Sequence, residues 1–599
     1  MSAPSPLDNN TALVTFTIKV NGKEIDSTYQ VLSVNTWNSV NKVPKAQIIL
    51  YDGSAATSDF ELSDSKEFLP GNKVVISAGY NQKEQQIFNG IIVKQGIEIN
   101  STEGTKLVVE LTDKAMKMSL ARHNALFEKI KDSDLISKLI KSNGLNADVS
   151  ATNNIQAEIV QYYSSDWDLM VTRAELNSLV VIVDAGTVRV KKPDTSQAPA
   201  LAVKFGFSII DLQLEMDAAT QYSKSAIKSY SWDSSQQKLI EAGPGAVSVN
   251  ERDDPSSSEL ADVFKVKNYP QETAGSINKA SLQDWSSAEL LRSMLAKIRG
   301  SVKFQGSALV KTGKVIQLEG ISKRFNGPAF ISGVQHSIYG GNWLTQVQVG
   351  LSPQRYTSAT ANIAAPGASG QLPPIKGLQT GIVKQIDKDP DGEFRVLVNM
   401  PILQDDSKGI WVRLGNFYAS NKVGVVFYPE IKDEVVIGFM NEDPRYGVIL
   451  GSLYSKKLAP PYPPDAKNTK KAIKTQGGLE ILFDDKDKVI VIITPAKQQI
   501  RIDDKAGSIV LKDKNKNTVS LSNKGISLDS ASNIKLTAKG DISLDAKANI
   551  KLNAGAKASM AGLQVEHKAK TSFSAKGSAS AEVKASGILT LAGAMVKIN

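Results

Sequence analysis

At 599 residues the chain has room for about three to five domains of roughly 100 to 200 residues each. A composition of 41% hydrophobic and 22% charged residues allows buried cores and excludes collagen-like and wholly disordered classes. The absence of cysteine removes disulfides, thiolate nucleophiles, cysteine zinc sites and iron–sulfur clusters together. The formal net charge is +10, and residues 515–599 hold twelve Lys, no Arg and five acids, so the rest of the chain is nearly balanced. No apolar run reaches eighteen residues, and the opening MSAPSPLDNNT lacks the basic and apolar layout of a signal peptide. Synthesis in the cytoplasm without a signal peptide is expected.

Residues 11–113 contain TALVTFTIKV, KAQIILYDG, NKVVISAGY and QIFNGIIVKQGIEI, whose alternating apolar positions predict half-buried antiparallel strands. From Asp132 the period changes. Asp132 or Ser133 can cap a helix carrying Leu135, Ile136, Leu139 and Ile140, with Asn143-Gly144 as its stop. A second helix is predicted near Ser165, where Ser165-Asp166-Trp167-Asp168 has capping-box spacing, and LVVIVDAGTVRV returns to a hairpin. Residues 200–250 read as mixed and strand-rich, and ERDDPSSS at 251–258 as a loop. Ser286 with Glu289 predicts a helix over 286–299 that buries Leu290, Leu291, Met294, Leu295 and Ile298 before Gly300. More strands follow to Leu351.

The stretch 357–377, rich in Ala, Gly, Ser and Pro and uncharged before Lys376, predicts a linker. Residues 378–455 hold five or six short strands and predict a small β-barrel. Its aromatics, Phe394, Trp411, Phe417, Tyr418, Phe427, Tyr428 and Phe439, fall mostly at alternating positions and are expected in the core rather than on a base-stacking surface. A proline-rich spacer, Pro460 to Pro464, comes next.

Past residue 500 the chain becomes periodic. Ile526/Leu528, Ile534/Leu536, Ile542/Leu544 and Ile550/Leu552 recur every eight residues; Ile500/Ile502, Ile509/Leu511 and Val519/Leu521 keep the unit upstream with looser spacing. Downstream, Val565, Phe573, Ala581 and Leu589 resume the step, and Val596/Ile598 follow. An apolar-x-apolar strand puts both side chains on one face, which one short turn cannot enclose. Such a repeat must stack on neighbours. Eight residues is short for one coil of a single-chain β-helix, so three intertwined chains are expected, forming a rigid needle without open edges. The even spread of Lys, with Phe573 the one aromatic among these repeats, fits solubility and edge protection better than nucleic-acid binding.

Local motifs give no catalytic centre. His123, His336 and His567 lack metal-motif spacing and are expected to be structural. Asp387-Lys388-Asp389-Pro390-Asp391-Gly392 imitates a calcium loop, but Val398 stands where the bidentate Glu is needed, so a hairpin turn is expected. No G-x-S-x-G, P-loop or H-E-x-x-H occurs. Asp484-Asp485 and Asp503-Asp504 read as turns. No cofactor, metal or enzymatic activity is expected.

The barrel and its flanks resemble the VgrG family, the spikes of contractile injection systems. The resemblance is carried by Trp411-Val412-Arg413, by Pro429-Glu430-Ile431-Lys432-Asp433-Glu434-Val435, by Asn441-Glu442-Asp443-Pro444-Arg445 and by Gly451-Ser452-Leu453-Tyr454. LPGNKVVISAGY, IFNGIIVKQGI and the Ser165–Glu175 stretch extend it to the family's hub portion. VNKVPKAQIILYDGS is similar to the extracellular systems related to the antifeeding prophage and the Photorhabdus virulence cassettes. The resemblance implies a mainly β fold with a minor helical part: a first hub β-barrel over 1–120, a helical αβ insert over 121–199, a second hub barrel over 200–353, a linker over 354–377, an OB-fold over 378–455, a spacer and needle start over 456–499, and a trimeric β-helix over 500–599.

It further implies a homotrimer that caps a hexameric inner tube, joins it to baseplate proteins and pierces the target envelope on sheath contraction, touching membrane only transiently. Its terminal Val596, Lys597, Ile598 and Asn599 would meet a PAAR-type tip protein. Effector cargo is a further implied partner; nucleic acid is not. The protein would belong to a particle released extracellularly or injected into a target cell. Roughly forty-five residues between Tyr454 and residue 500 are too few for an inserted enzyme domain. A trimeric β-helical tailspike and an anionic-polymer-binding protein are the alternatives.

Overall fold

The computed structural model describes residues 3–9, 13–250, 254–405 and 408–598. The chain folds as two compact units, Met1–Leu453 and Tyr454–Asn599.

In the first unit the alternating segments become a thirteen-stranded sheet. Val14–Val20, Val31–Ser39, Lys45–Tyr51, Lys73–Tyr80, Lys83–Asn100 and Gly104–Thr112 place Ile18, Ile48, Val74, Ile76, Val109 and Leu111 in one core around Phe68. Burying each such large side chain contributes roughly 1.5–3 kcal/mol. Leu201–Lys204, Ile209–Met216, Ile298–Gln305, Val315–Glu319, Gly327–Tyr339 and Asn342–Val349 build a second module with its own core of Val203, Val302, Phe304, Ile316, Ile331 and Val347. The two modules share the sheet, because Gly327–Tyr339 pairs antiparallel with Val31–Ser39, His336 opposite Thr36.

Between the modules lies the insert. Arg122–Lys131 and Ile155–Ser165 form a two-stranded ribbon, while the helices Asp132–Ser142 and Asp166–Leu176 pack with the strands Asn146–Val149, Val180–Asp184 and Thr187–Lys191. Ser165 caps the second helix as expected, its Oγ accepting from the Asp168 N–H at 3.0 Å. The first helix departs from expectation. Its cap is Lys131, without a side-chain bond, because Asp132 is spent elsewhere: its carboxylate is buried and takes Arg173 Nε at 2.6 Å and Asn177 Nδ2 at 2.9 Å. Ser133 is likewise inside the helix.

The helix expected over 286–299 runs from Lys279 to Leu295, with Asn278 accepting from the Ser281 N–H. Its polar first half hides the apolar period. Ser286 and Glu289 therefore sit mid-helix, and Ile298 and Gly300 belong to the next strand. A helix missed from the sequence, Ser257–Phe264, carries a complete Ser256/Glu259 capping box. It takes up the end of the expected 251–258 loop, whose residues 251–253 lie outside the described residues.

The low-complexity linker is tethered. Arg122 donates to the carbonyls of Tyr163 (2.8 Å), Ile363 (3.2 Å) and Asn362. Tyr356 donates from its hydroxyl to Asp168 at 2.7 Å and from its backbone to Glu175 at 2.9 Å. Beyond it, Gln379–Gln385, Val396–Asn399, Ile410–Leu414, Glu434–Phe439 and Gly447–Ser452 close a five-stranded barrel around Val383, Val396, Val398, Val412, Val435 and Ile437.

The barrel aromatics correct the core expectation. Phe394 is 80% and Phe417 87% exposed, and Tyr418 and Phe427 are also exposed. Phe394 sits at φ +60°, and the short Ala419–Ser420/Val423–Gly424 hairpin carries its aromatics away from the barrel. Only Tyr428 and Phe439 pack against the core cluster, with Trp411 half-buried.

Candidate functional site

In the second unit the apolar-x-apolar segments form an antiparallel seven-stranded meander from Lys470 to Asp529. Its register sets the apolar positions opposite one another. Phe483 faces Ile490, Ile490 faces Ile502, Ile502 faces Ile509, Ile509 faces Leu521, and Leu521 faces Ile526. A second row runs Ile481, Ile492, Ile500, Leu511, Val519, Leu528 in the same way. Both rows point to one side of the pleat. Most of their members remain partly or largely open to solvent, Ile526 at 75%. A cleft of about 600 Å³ lies over the second row, lined by Ile492, Ile500, Leu511, Val519, Leu528 and Ile534.

Sequence reading traced the apolar-x-apolar unit from residue 500 and assigned 456–499 to a spacer and needle start without naming its rungs. The first two rungs, Ile481/Phe483 and Ile490/Ile492, carry the same unit in LEILFDD and KVIVIITP and could have been found from it.

After Asp529 the octads stay uncovered. Among the described residues from 530 to 598 the chain forms no strand or helix. Ile534, Leu536, Ile542, Leu544, Ile550, Leu552, Val565, Phe573 and Leu589 are all exposed, Leu552 to 78%, as are Val596, Lys597 and Ile598. Asn599 lies outside the described residues. Monomeric proteins rarely expose contiguous apolar patches beyond a few hundred Å² unless they are interaction surfaces. An apolar face left open in this way is stabilised by burial against a further apolar surface.

The barrel motif residues act as staples. Asp433 accepts from the Glu430 N–H at 2.9 Å, and its own carbonyl takes the Val383 N–H, fixing the turn after buried Pro429 and before Glu434. Asp443 is buried and takes both Arg445 Nε (3.0 Å) and Nη2 (2.7 Å), which holds its carboxyl below the usual range. Arg445 also donates to Gln371 at 2.9 Å, tying the Pro444 turn to the linker. Trp411 and Arg413 flank buried Val412 on one strand, Arg413 outward, while Gly451 is exposed at the barrel end. These residues do not converge on one cleft. The calcium-like turn is a hairpin clamp: Asp389 accepts from the N–H groups of Asp391, Glu393 and Arg395 and from the Arg395 guanidinium, which holds its carboxyl well below the usual range. Among the described residues no group of three or more His, Asp or Glu could hold a metal ion, and no helix is long and apolar enough to cross a membrane.

The continuous sheet with its insert, the closed barrel and the ladder make up a mainly β, VgrG-like architecture. The chain belongs to the family of the Alg8 N-terminal domain, which matches residues 10–340, and the type VI secretion system/phage-baseplate injector OB domain matches residues 379–454. The type VI secretion spike protein VgrG1b of Pseudomonas aeruginosa is 26% identical over 148 residues, 23% of this chain and 18% of that protein. The actin cross-linking toxin VgrG1 of Vibrio cholerae is 30% identical over 86 residues, 14% of this chain and 8% of the toxin. The chain thus spans less than a fifth of the length of either relative. An Escherichia coli type VI secretion component, described as structurally similar to the T4 tail proteins gp27 and gp5, superposes with a TM-score of 0.36 at 13% identity, over 73% of this chain and 99% of that one.

Proposed function

We propose that the chain is the homotrimeric spike of a contractile injection system, of the extracellular kind related to the antifeeding prophage and the Photorhabdus virulence cassettes. The observation that carries this reading is the pair of cross-strand apolar rows, continued by the octads, which one chain leaves open. Three chains wound about one axis bury it. Residues 1–353 are then hub, 378–455 collar and 500–599 needle, with Val596, Lys597, Ile598 and Asn599 meeting a PAAR-type tip protein. The repeated sheet modules of three chains would offer six similar units to a hexameric inner tube, and baseplate proteins would hold the hub. Sheath contraction then drives the needle through an envelope, with effector cargo carried along; the role is mechanical rather than enzymatic.

The test is assembly in the producing cell. Particles purified from a strain lacking this chain should be missing, or should show uncapped tubes by electron microscopy, and restoring the chain should restore capped particles. Normal, spiked particles without it would overturn the reading.

A further inference from the structure

The octad step through Val565, Phe573, Ala581 and Leu589 carries its second position two residues on, at 567, 575, 583 and 591. Ala575, Val583 and Leu591 fill three of these, and the fourth is His567. The equivalence holds residue by residue. Val565-Glu566-His567-Lys568 and Ala581-Glu582-Val583-Lys584 are one pattern sixteen residues apart, with His567 where the later copy has Val.

The side chains lie as that equivalence requires. Lys568 reaches Glu566 at 2.6 Å and Lys584 reaches Glu582 at 4.0 Å, each pair spanning the residue between. Residues two apart meet on one side of an extended chain, so His567, like Val583, points to the other. That other side is the apolar one: the His567 ring lies 6.1 Å from the ring of Phe573, the first apolar position of the next octad. Neither ring nitrogen of His567 has a hydrogen-bond partner among the described residues.

A histidine at a valine position is costly in an apolar seam, since each neutral imidazole brings one donor and one acceptor that burial leaves unmet. Three at one level can meet this need together. Winding three equal chains about one axis sets His567 of each copy at the same height, and three imidazole nitrogens converging there are the donor set of a transition-metal ion. The carboxylate of Glu566 is turned away and taken by Lys568, so the ligands are imidazoles, which suit zinc rather than magnesium or calcium. Among the described residues one chain holds no group of three such ligands; the other two copies supply them. We propose that His567 of three copies binds one divalent metal ion of the zinc class on the needle axis, with water in the fourth position, and that the ion staples the three chains at this level. The inference rests on the three-chain reading.

The untagged full chain, stripped with EDTA and with its mass established by light scattering, is titrated with zinc by calorimetry and with cobalt(II) by visible absorption. One zinc should bind per three chains, cobalt should give the absorption of a four-coordinate site that zinc abolishes, and zinc should raise the melting temperature. His567→Val, which installs the residue of the later copy of the pattern, should keep the three-chain mass and lose both the cobalt absorption and the effect of zinc on melting. His123→Gln, at an exposed histidine of the first unit, should lose neither. A monomeric chain would overturn this inference and the three-chain reading together. A three-chain assembly that takes up no zinc, takes up one per chain, or keeps the cobalt absorption in His567→Val would overturn this inference alone. The stoichiometry on the unaltered chain decides even if the variant assembles poorly.

Discussion

His336 sits opposite Thr36 in the seam between the two sheet modules, its Nδ1 2.9 Å from Thr345 Oγ1 and its ring 5.7 Å from that of Trp343. Burial holds its pKa down at about 3, against an ordinary value of 6.5. Because the unfolded chain takes up a proton that the folded chain refuses, this residue's contribution is complete above pH 6.5 and is lost as the pH falls toward 3. The loss reaches about 2 kcal/mol at pH 5, at roughly 1.4 kcal/mol per unit. Thermal unfolding at pH 7 and pH 5 should therefore show a smaller drop in melting temperature for His336→Gln than for the unaltered chain; equal drops would refute this. Close packing at the same Trp makes a second prediction. A Cβ on Gly306 would lie 2.0 Å from Trp343 Cδ2, so Gly306→Ala should destabilise by about 1–3 kcal/mol or more in denaturant unfolding. That His336 was structural followed from its lack of metal-motif neighbours. That it sits in the seam between the modules could not be read, because His336 and Thr36 are brought together only by strand pairing across the fold.

Elements whose pattern was local were legible, and those shaped by distant partners were not. The helix at Asp166 announced its cap and apolar face, and the hairpin at 180–191 its turn. The helix Lys279–Leu295 hid its start because Asn278 caps a polar first half. The Phe417 and Phe427 positions followed the barrel's alternation on paper, yet a local hairpin lifts them off it. Composition predicted a linker over 357–377 but could not show its contact: Arg122, more than two hundred residues away, donates to the carbonyls of Asn362 and Ile363. Arg122→Ala should free this segment. Elastase should then cut within 357–375 several times faster, while the barrel fragments survive; an unchanged cleavage rate would show that the tether holds nothing.

At the scale of the whole molecule, the octad period was the most legible feature and the least satisfied by one chain. Its step fixes which side chains share a face; the register of Lys470–Asp529 then shows two apolar rows formed and left open. Among the described residues the rows stay partly exposed, and in the proposed trimer two further copies would cover them, which is why their spacing could be argued but not their partner contacts. Ile542→Lys/Leu544→Lys would set six like charges around one level of a three-chain needle, and should lower its resistance to heat and detergent as seen by gel mobility; undiminished resistance would count against a shared axis.

The most direct measurement is the solution mass of the whole chain by light scattering. A three-chain needle requires a mass near three times 64.5 kDa that persists on dilution. A monodisperse 64.5 kDa species with its octads protected from proteolysis would mean that the ladder closes within one chain, and the trimeric spike would be wrong.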